Sequence, residues 1–264
     1  MMLSHFSVGT GSKTLVFLHG MCEDKSVWVD TILAMGDYRC VALDLPGFGE
    51  SEMPDSIETI EDVASEVVES LKILGVSRAI MFGHSYGGYV ALALARKYPD
   101  YLSGLGLVHS TAYADSEERK ILRSKLIDFI GKQGVKIYAE NFFPEIFATA
   151  HRAKFASKIN ELVKRALSIN PNYLQRTLSI MANRPDSIQW LKETKLPILY
   201  VIGKQDNAIP FETAMTQAAF PKNCIVQILE HVGHIAMIED ENKTKQMIQF
   251  FSSYCLENEN QRPN

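Results

Sequence analysis

Short apolar runs recur along the chain at intervals that suit strands. In the N-terminal half they are Leu15-Val16-Phe17-Leu18, Cys40-Val41-Ala42-Leu43, Ala79-Ile80-Met81-Phe82 and Leu105-Gly106-Leu107-Val108. Each is continuous rather than alternating, as expected of a parallel sheet buried on both faces. The pattern returns late, over residues 197–202 and 225–229. Between the runs the spacing changes to three and four. Ile60, Val63, Ala64, Val67, Leu71 and Leu74 share one helical face, and Gly75 supplies a stop. A second helix is predicted over 86–98, closed by Pro99, and later ones near 211–219 and 237–254. Strand–helix alternation of this kind predicts an α/β fold with a doubly wound, mostly parallel sheet.

The segment 111–186 breaks the alternation. It reads as helical near 116–132, 135–142, 151–169 and 172–182, punctuated by Pro144 and Asn170-Pro171. Phe155, Ile159, Leu162, Val163 and Ala166 form one apolar stripe. A helical layer on the sheet would explain this block, but about 75 residues is long for a connection, and long insertions are often lids. The expected division is an α/β core made of 1–110 and 187–264 with an all-helical lid over 111–186. The tail 257–264 reads as a polar, mobile end.

Composition narrows the function classes. With 46% hydrophobic and 22% charged residues and a net charge of −4, the chain is globular and carries no nucleic-acid-binding tail. No apolar run approaches the roughly 18 residues of a membrane span, and the start lacks the basic-then-apolar pattern of a signal peptide. Cys22, Cys40, Cys224 and Cys255 are scattered, without CxxC or cysteine–histidine spacing. They predict no disulfide framework and no metal site, and a reducing, cytoplasmic setting. The modest net charge is unevenly divided: 111–186 carries +5 and the remainder −9. Arg119, Lys120, Arg123, Lys125, Arg152, Lys154, Lys158, Lys164 and Arg165 belong to this basic lid. They form either a solvated helix face or an attraction for an anionic substrate or an acidic carrier protein.

Candidate chemistry begins at Gly83-His84-Ser85-Tyr86-Gly87-Gly88, where a predicted strand meets a predicted helix. A serine on so sharp a turn needs small neighbours two positions before and after it, and stands clear of the sheet at a helix N-terminus. Its hydroxyl needs a base. Among the histidines, His84 is turned elsewhere by the same bend, His109 ends a strand and is a minor candidate, and His231 suits a structural role. His234, after Gly233 and beyond the strand 225–229, is at the sheet edge where Ser85 lies. Asp206, directly after the strand 197–202, is the expected acid that orients the imidazole, with Asp115 as the alternative. An oxyanion would be held by the backbone N–H groups of Tyr86 and Met21, the latter following His19-Gly20. His19 itself suits a structural hydrogen bond. Cys22 nearby is a weak nucleophile candidate beside a better one. No P-loop or cofactor-binding turn is present, so no cofactor is expected.

These motifs give the chain a family resemblance. His19-Gly20, Asp44-Leu45-Pro46-Gly47-Phe48-Gly49-Glu50-Ser51, the Ser85 turn, and Asp206 with Gly233-His234 occur in the order seen in α/β-hydrolase-fold enzymes with a helical cap. The resemblance implies a serine hydrolase with the cap over its pocket, and makes the Asp44 loop structural. Serine at position 85 argues against the epoxide hydrolases and haloalkane dehalogenases of the family, which use aspartate there. Esterases, thioesterases, carbon–carbon bond hydrolases and cofactor-free haloperoxidases keep serine. The carbon–carbon hydrolases usually show asparagine where this chain has His84. The expected function is therefore hydrolysis of a small-molecule carboxylic ester with a small or medium apolar acyl group, contacted by Trp28, Phe142 and Phe143. A non-catalytic binding module of the same fold is the alternative from another class. All three triad positions are filled, which disfavours it.

Overall fold

The six apolar runs become parallel strands of one seven-stranded sheet, in a computed structural model that describes residues 2–260. The strands are β1 (His5–Val8), β2 (Thr14–Leu18), β3 (Arg39–Leu43), β4 (Ala79–His84), β5 (Leu102–Val108), β6 (Ile198–Gly203) and β7 (Cys224–Leu229). Their spatial order is β1-β3-β2-β4-β5-β6-β7. Every residue of β4, β5 and β6 is buried, which is why these strands read as unbroken apolar runs. The edge strand β1 was not marked by a run. It pairs antiparallel with β3, and none of its four residues is fully buried.

Among the described residues ten α-helices accompany the strands: α1 (Val29–Leu33), α2 (Ile60–Ile73), α3 (Tyr86–Lys97), α4 (Glu117–Ile146), α5 (Ala156–Ala166), α6 (Pro171–Asn183), α7 (Ile188–Glu193), α8 (Phe211–Ala218), α9 (Ala236–Glu239) and α10 (Glu241–Asn260). In α2 the Thr59 side chain accepts the Asp62 N–H while Asp62 answers the Thr59 N–H, a reciprocal cap worth about 1 kcal/mol. Gly75 ends that helix with φ of +69°, as expected of its stop. The central helix α3 is buried from Tyr86 to Ala95, so it is apolar on every side. On the other face of the sheet Trp28, Phe17, Phe82 and Phe251 stack in a column with ring centroids 5.3 to 6.0 Å apart.

The α/β fold is as expected from the sequence, and the helical insertion α4–α7 lies between β5 and β6. Its details differ. The two helices expected over 116–132 and 135–142 are both present within α4, parted at Gly134, whose φ of 80° and ψ of 170° are not helical, and the second runs on to Ile146. Pro144 lies inside its last turns rather than ending it. The helix expected over 151–169 shortens to α5, preceded by a 3₁₀ turn, Thr149–His151. The late helix splits at Asp240 into α9 and α10. The helix α10 runs through Asn260, so the first part of the expected polar tail is helical. Positions 261–264 of that tail, and Met1, lie outside the described residues. Among the described residues, no helix is long and apolar enough to cross a membrane.

The neck of the insertion is tied on both sides. Ser187 N–H donates to Ala112 O at 2.8 Å, and Ala114 N–H to Asp186 Oδ2 at 3.2 Å. Fully buried Gln217 of α8 accepts the Ala112 N–H at 2.7 Å and donates to Ser110 O at 3.3 Å. Arg184 reaches Asp115 Oδ1 at 2.7 Å and Tyr113 O at 2.8 Å while stacking over Tyr89 at 3.8 Å. Asp115, the alternative acid, is thus fully engaged at the neck, with Arg123 on its other oxygen.

Candidate active site

Parallel strands point their C-terminal ends the same way, so the loops after β4, β5, β6 and β7 open on one edge of the sheet. They carry Ser85, His109, Asp206 and His234. Ser85 has φ of 47° and ψ of −111°, a strained conformation that only a tightly held turn maintains. Its glycine neighbours are sterically required. A Cβ on Gly83 would stand 2.5 Å from Gly87 O, and one on Gly87 2.5 Å from Leu18 O. The turn is fixed further by Ser85 N–H to Val108 O at 3.0 Å and by the Ser110 hydroxyl on Ser85 O at 2.8 Å.

Ser85 Oγ lies 2.9 Å from His234 Nε2, and His234 Nδ1 lies 2.8 Å from Asp206 Oδ2. Because the carboxylate only accepts, the proton of the neutral imidazole sits on Nδ1, and Nε2 presents a lone pair to the serine hydroxyl. Asp206 is 8% exposed and both its oxygens are used. Oδ1 accepts the N–H groups of Ala208 and Ile209, each at 2.8 Å. Oδ2 accepts a second ring donor, His109 Nδ1, at 3.2 Å. Burial alone would raise the Asp206 carboxyl. The charge and N–H of His234, with the His109 hydrogen bond, outweigh it and hold the group well below the usual carboxylate range.

A second histidine–carboxylate pair underlies the first. His84 Nδ1 is 2.9 Å from Glu23 Oε2, and His84 Nε2 donates to the His234 backbone carbonyl at 2.7 Å. Glu23 Oε2 also accepts the Gly20 N–H at 2.7 Å. The pair therefore joins the Gly20 turn, the serine turn and the His234 loop. Burial would push Glu23 up and His84 down, yet their mutual attraction reverses both: the Glu23 carboxyl is lowered and the His84 imidazole raised. Nothing in the sequence marked Glu23 except an acidic residue close behind His19-Gly20.

The expected oxyanion donors lie on adjoining turns. Tyr86 opens α3, so its N–H has no acceptor within the helix. Met21 is a central residue of the turn closed by Glu23 N–H on Gly20 O at 3.3 Å, with Cys22 at φ of 64° beside it. Burial raises the Cys22 thiol far above its usual range, so it stays protonated. His19 is fully buried, donating to Gly20 O at 2.7 Å and accepting the Leu45 N–H at 2.9 Å. Asp44 anchors its loop by accepting from Lys25 Nζ at 2.7 Å and Glu50 N–H at 2.9 Å.

The expected substrate contacts fare unequally. Trp28 has no accessible surface and lies against Phe17 in the aromatic column, so it belongs to the core. Phe143 is likewise fully enclosed, edge-on to Phe142 at 5.3 Å. Phe142 alone of the three keeps accessible surface, stacked on Tyr138 at 5.5 Å. Aromatic residues at helical spacing have here served packing between α4 and its neighbours.

The helical insertion is bonded to the loop that carries His234. Its Ile146 carbonyl accepts the His234 backbone N–H at 2.7 Å. Glu239, 6% exposed, accepts the Gly233 N–H on Oε1 at 2.8 Å. On Oε2 it takes the Ala148 N–H and His151 Nδ1, both at 2.9 Å. A Cβ on Gly233 would stand 2.5 Å from Ala148 N, so glycine permits this contact. The available signal for Glu239 was one acid ending the apolar stretch Ile235-Ala236-Met237-Ile238. The lid's basic residues mostly have partners: Arg123 on Asp115, Arg152 on Glu145, Lys158 and Arg165 on Glu161, and Arg119 on Ala208 O. Arg165 also reaches Asp24 of the core at 3.4 Å.

Among the described residues, His109, Asp206 and His234 are the group close enough to chelate a metal, their ligand atoms lying within 4.8 Å. Those atoms already bond one another as two N–H donors on one carboxylate oxygen, which accounts for the arrangement without an ion.

Comparison with known proteins agrees with this architecture. The family model described as alpha/beta hydrolase fold matches residues 13–241. An esterase from Thermogutta terrifontis superposes with a TM-score of 0.90 at 28% identity, covering 96% of this chain and 93% of its own. A 2-hydroxy-6-oxononadienedioate/2-hydroxy-6-oxononatrienedioate hydrolase of Paraburkholderia phymatum is 25% identical over 253 residues, 91% of this chain and 87% of that protein. A pimeloyl-[acyl-carrier protein] methyl ester esterase of Wigglesworthia glossinidia brevipalpis is 25% identical over 209 residues, 77% of this chain and 78% of the relative.

Proposed function

Because the chain belongs to the alpha/beta hydrolase fold family, we propose that it is a serine hydrolase cleaving carboxylic esters of small or medium apolar acids. The observation that carries this reading is the unbroken line from Ser85 Oγ through His234 to Asp206, with links of 2.9 and 2.8 Å. In the proposed reaction His234 Nε2 takes the Ser85 proton as the oxygen attacks the ester carbonyl. The Met21 and Tyr86 N–H groups hold the tetrahedral oxyanion, and His234 returns its proton to the departing alcohol. Water then attacks the acyl-serine with the same base, freeing the acid and restoring the hydroxyl. Asp206 keeps the imidazole in the required tautomer and stabilises its charged form.

Four free cysteines support a reducing, cytoplasmic setting. A second reading, carbon–carbon bond hydrolysis, is favoured by the similarity to the Paraburkholderia hydrolase. A panel of p-nitrophenyl esters and vinylogous diketone acids separates the two by relative kcat/KM. The direct test is Ser85→Ala. The wild type should turn over a p-nitrophenyl ester and take up one fluorophosphonate per chain, and the variant should lose both, with kcat falling at least about 10³-fold. Retained turnover would refute the assignment.

A further inference from the structure

His109 is a buried histidine that the proposed reaction leaves unused, and its geometry is unusually constrained. It follows β5 with φ of 48°, a left-handed conformation rare outside glycine. Its ring edge closes on Gly203, where a Cβ would stand 2.1 Å from Gly233 O, 2.6 Å from Val232 O and 2.9 Å from His109 Cε1. Nε2 accepts the Ala236 N–H at 3.3 Å, so the ring proton sits on Nδ1 and is donated to Asp206 Oδ2 at 3.2 Å. His109 thereby ties the acid to the backbone two residues beyond His234. Burial lowers its own pKa to about 4, partly offset by Asp206, so the ring stays neutral at working pH.

We propose that His109 is a positioning residue, holding Asp206 against His234 and sharing the negative charge of Oδ2 with it. The proposal rests on the reading of Ser85, His234 and Asp206 as a proton relay. Oδ2 accepts from both rings, and a donor withdrawn from a carboxylate leaves more charge facing the remaining partner. Removing the His109 donor therefore favours the imidazolium form of His234 relative to the wild type. The other ionisable groups around His234 are Ser85 at Nε2, His84 with its ring 5.1 Å away, Glu23 behind His84, and Glu239 through the Gly233 N–H.

The test is the pair His109→Phe, which keeps a ring without a donor, and His109→Asn, whose Nδ2 is bonded to Cγ as His109 Nδ1 is and so keeps a donor toward Asp206. The pH profile of kcat/KM for an ester is measured alongside the His234 titration by NMR without substrate. In His109→Phe the acid limb and the NMR titration should both move up by about one pH unit. On the acid limb kcat should fall by up to about tenfold, and less at neutral pH, while KM stays within about twofold. His109→Asn should recover at least half of the shift. Unmoved limb and titration in a folded phenylalanine variant overturn the proposal, even with a lowered melting temperature, because packing alone predicts that result. Should that variant not fold, His109→Leu, which has no donor, replaces it, and equal titrations for wild type, Asn and Leu overturn it equally. A parallel Ser85→Ala assay keeps the two readings apart. Surviving activity there breaks the hydrolase assignment, while the substrate-free titration still judges His109.

Discussion

Two buried histidine–carboxylate pairs stand side by side at the sheet edge, their imidazoles 5.1 Å apart, and only one has a nitrogen left for chemistry. In His84–Glu23 both ring nitrogens face acceptors, a carboxylate and a carbonyl, so the ring holds its protons and ties three loops together. In His234–Asp206 one nitrogen is fixed by the carboxylate and the other faces a hydroxyl that can give up a proton. The residue types, burial and separations are nearly the same. What differs is the partner of the second nitrogen: a backbone carbonyl in that place makes a brace, and a serine hydroxyl there is what the proposed function reads as the partner of a base.

The comparison is sharpened most by Asp206→Asn. The amide would stabilise the wrong tautomer of His234, and kcat should fall about 10³- to 10⁴-fold with little change in KM, read by steady-state kinetics. The equivalent change in the other pair, Glu23→Gln, should act on stability instead. Because His84 Nδ1 and the Gly20 N–H share Glu23 Oε2, a glutamine oxygen in that place keeps both acceptor contacts and removes only the negative charge. Expected is a loss of about 1–3 kcal/mol near pH 6 with less than about a tenfold loss in kcat. If Glu23→Gln reduced kcat as far as Asp206→Asn, the distinction between brace and base would be wrong.

The pH dependence of that stability loss has a definite sign. Glu23 is lowered on folding, so its contribution is present above the unfolded value of about 4.3 and is lost as pH falls through the folded one. His84 is raised, so its contribution is full below about 6.5 and is lost as pH rises through its folded value. The gap between wild type and Glu23→Gln should therefore be widest between these two values. Urea melts at pH 4, 5.5 and 9 would show it. The smallest effect is expected of an ion pair in water: Arg165→Ala, which breaks contacts to Glu161 and Asp24, should shift stability by no more than about 0.5 kcal/mol.

How much of this was legible differs between scaffold and brace. The strands β2 to β6 announced themselves because burial on both faces needs unbroken apolar runs, whereas the edge strand β7 was legible by its apolar residues although only Leu229 of it is fully buried. Ser85 was marked by glycines that a steric rule demands, and Asp206 and His234 by their places after late strands. Glu23, His109 and Glu239 left no such mark. Their roles come from contacts 61, 97 and 91 positions away in the chain, to His84, Asp206 and Ala148, which no local spacing encodes. The aromatic residues failed in the opposite way. Trp28 and Phe143 suggested a substrate pocket by type alone, yet a large apolar ring is as well satisfied by a neighbouring ring as by a ligand. The basic character of the lid was read correctly as composition, but Asp115, Glu145 and Glu161 absorb much of it locally.

The strap made by Ile146, Ala148 and His151 holds the His234 loop at two neighbouring points. Losing that stretch of the insertion would strip the acceptor from the His234 N–H and two donors from Glu239 together. The footing of His234 is thus shared with a segment distant in the chain, and neither can be disturbed without the other.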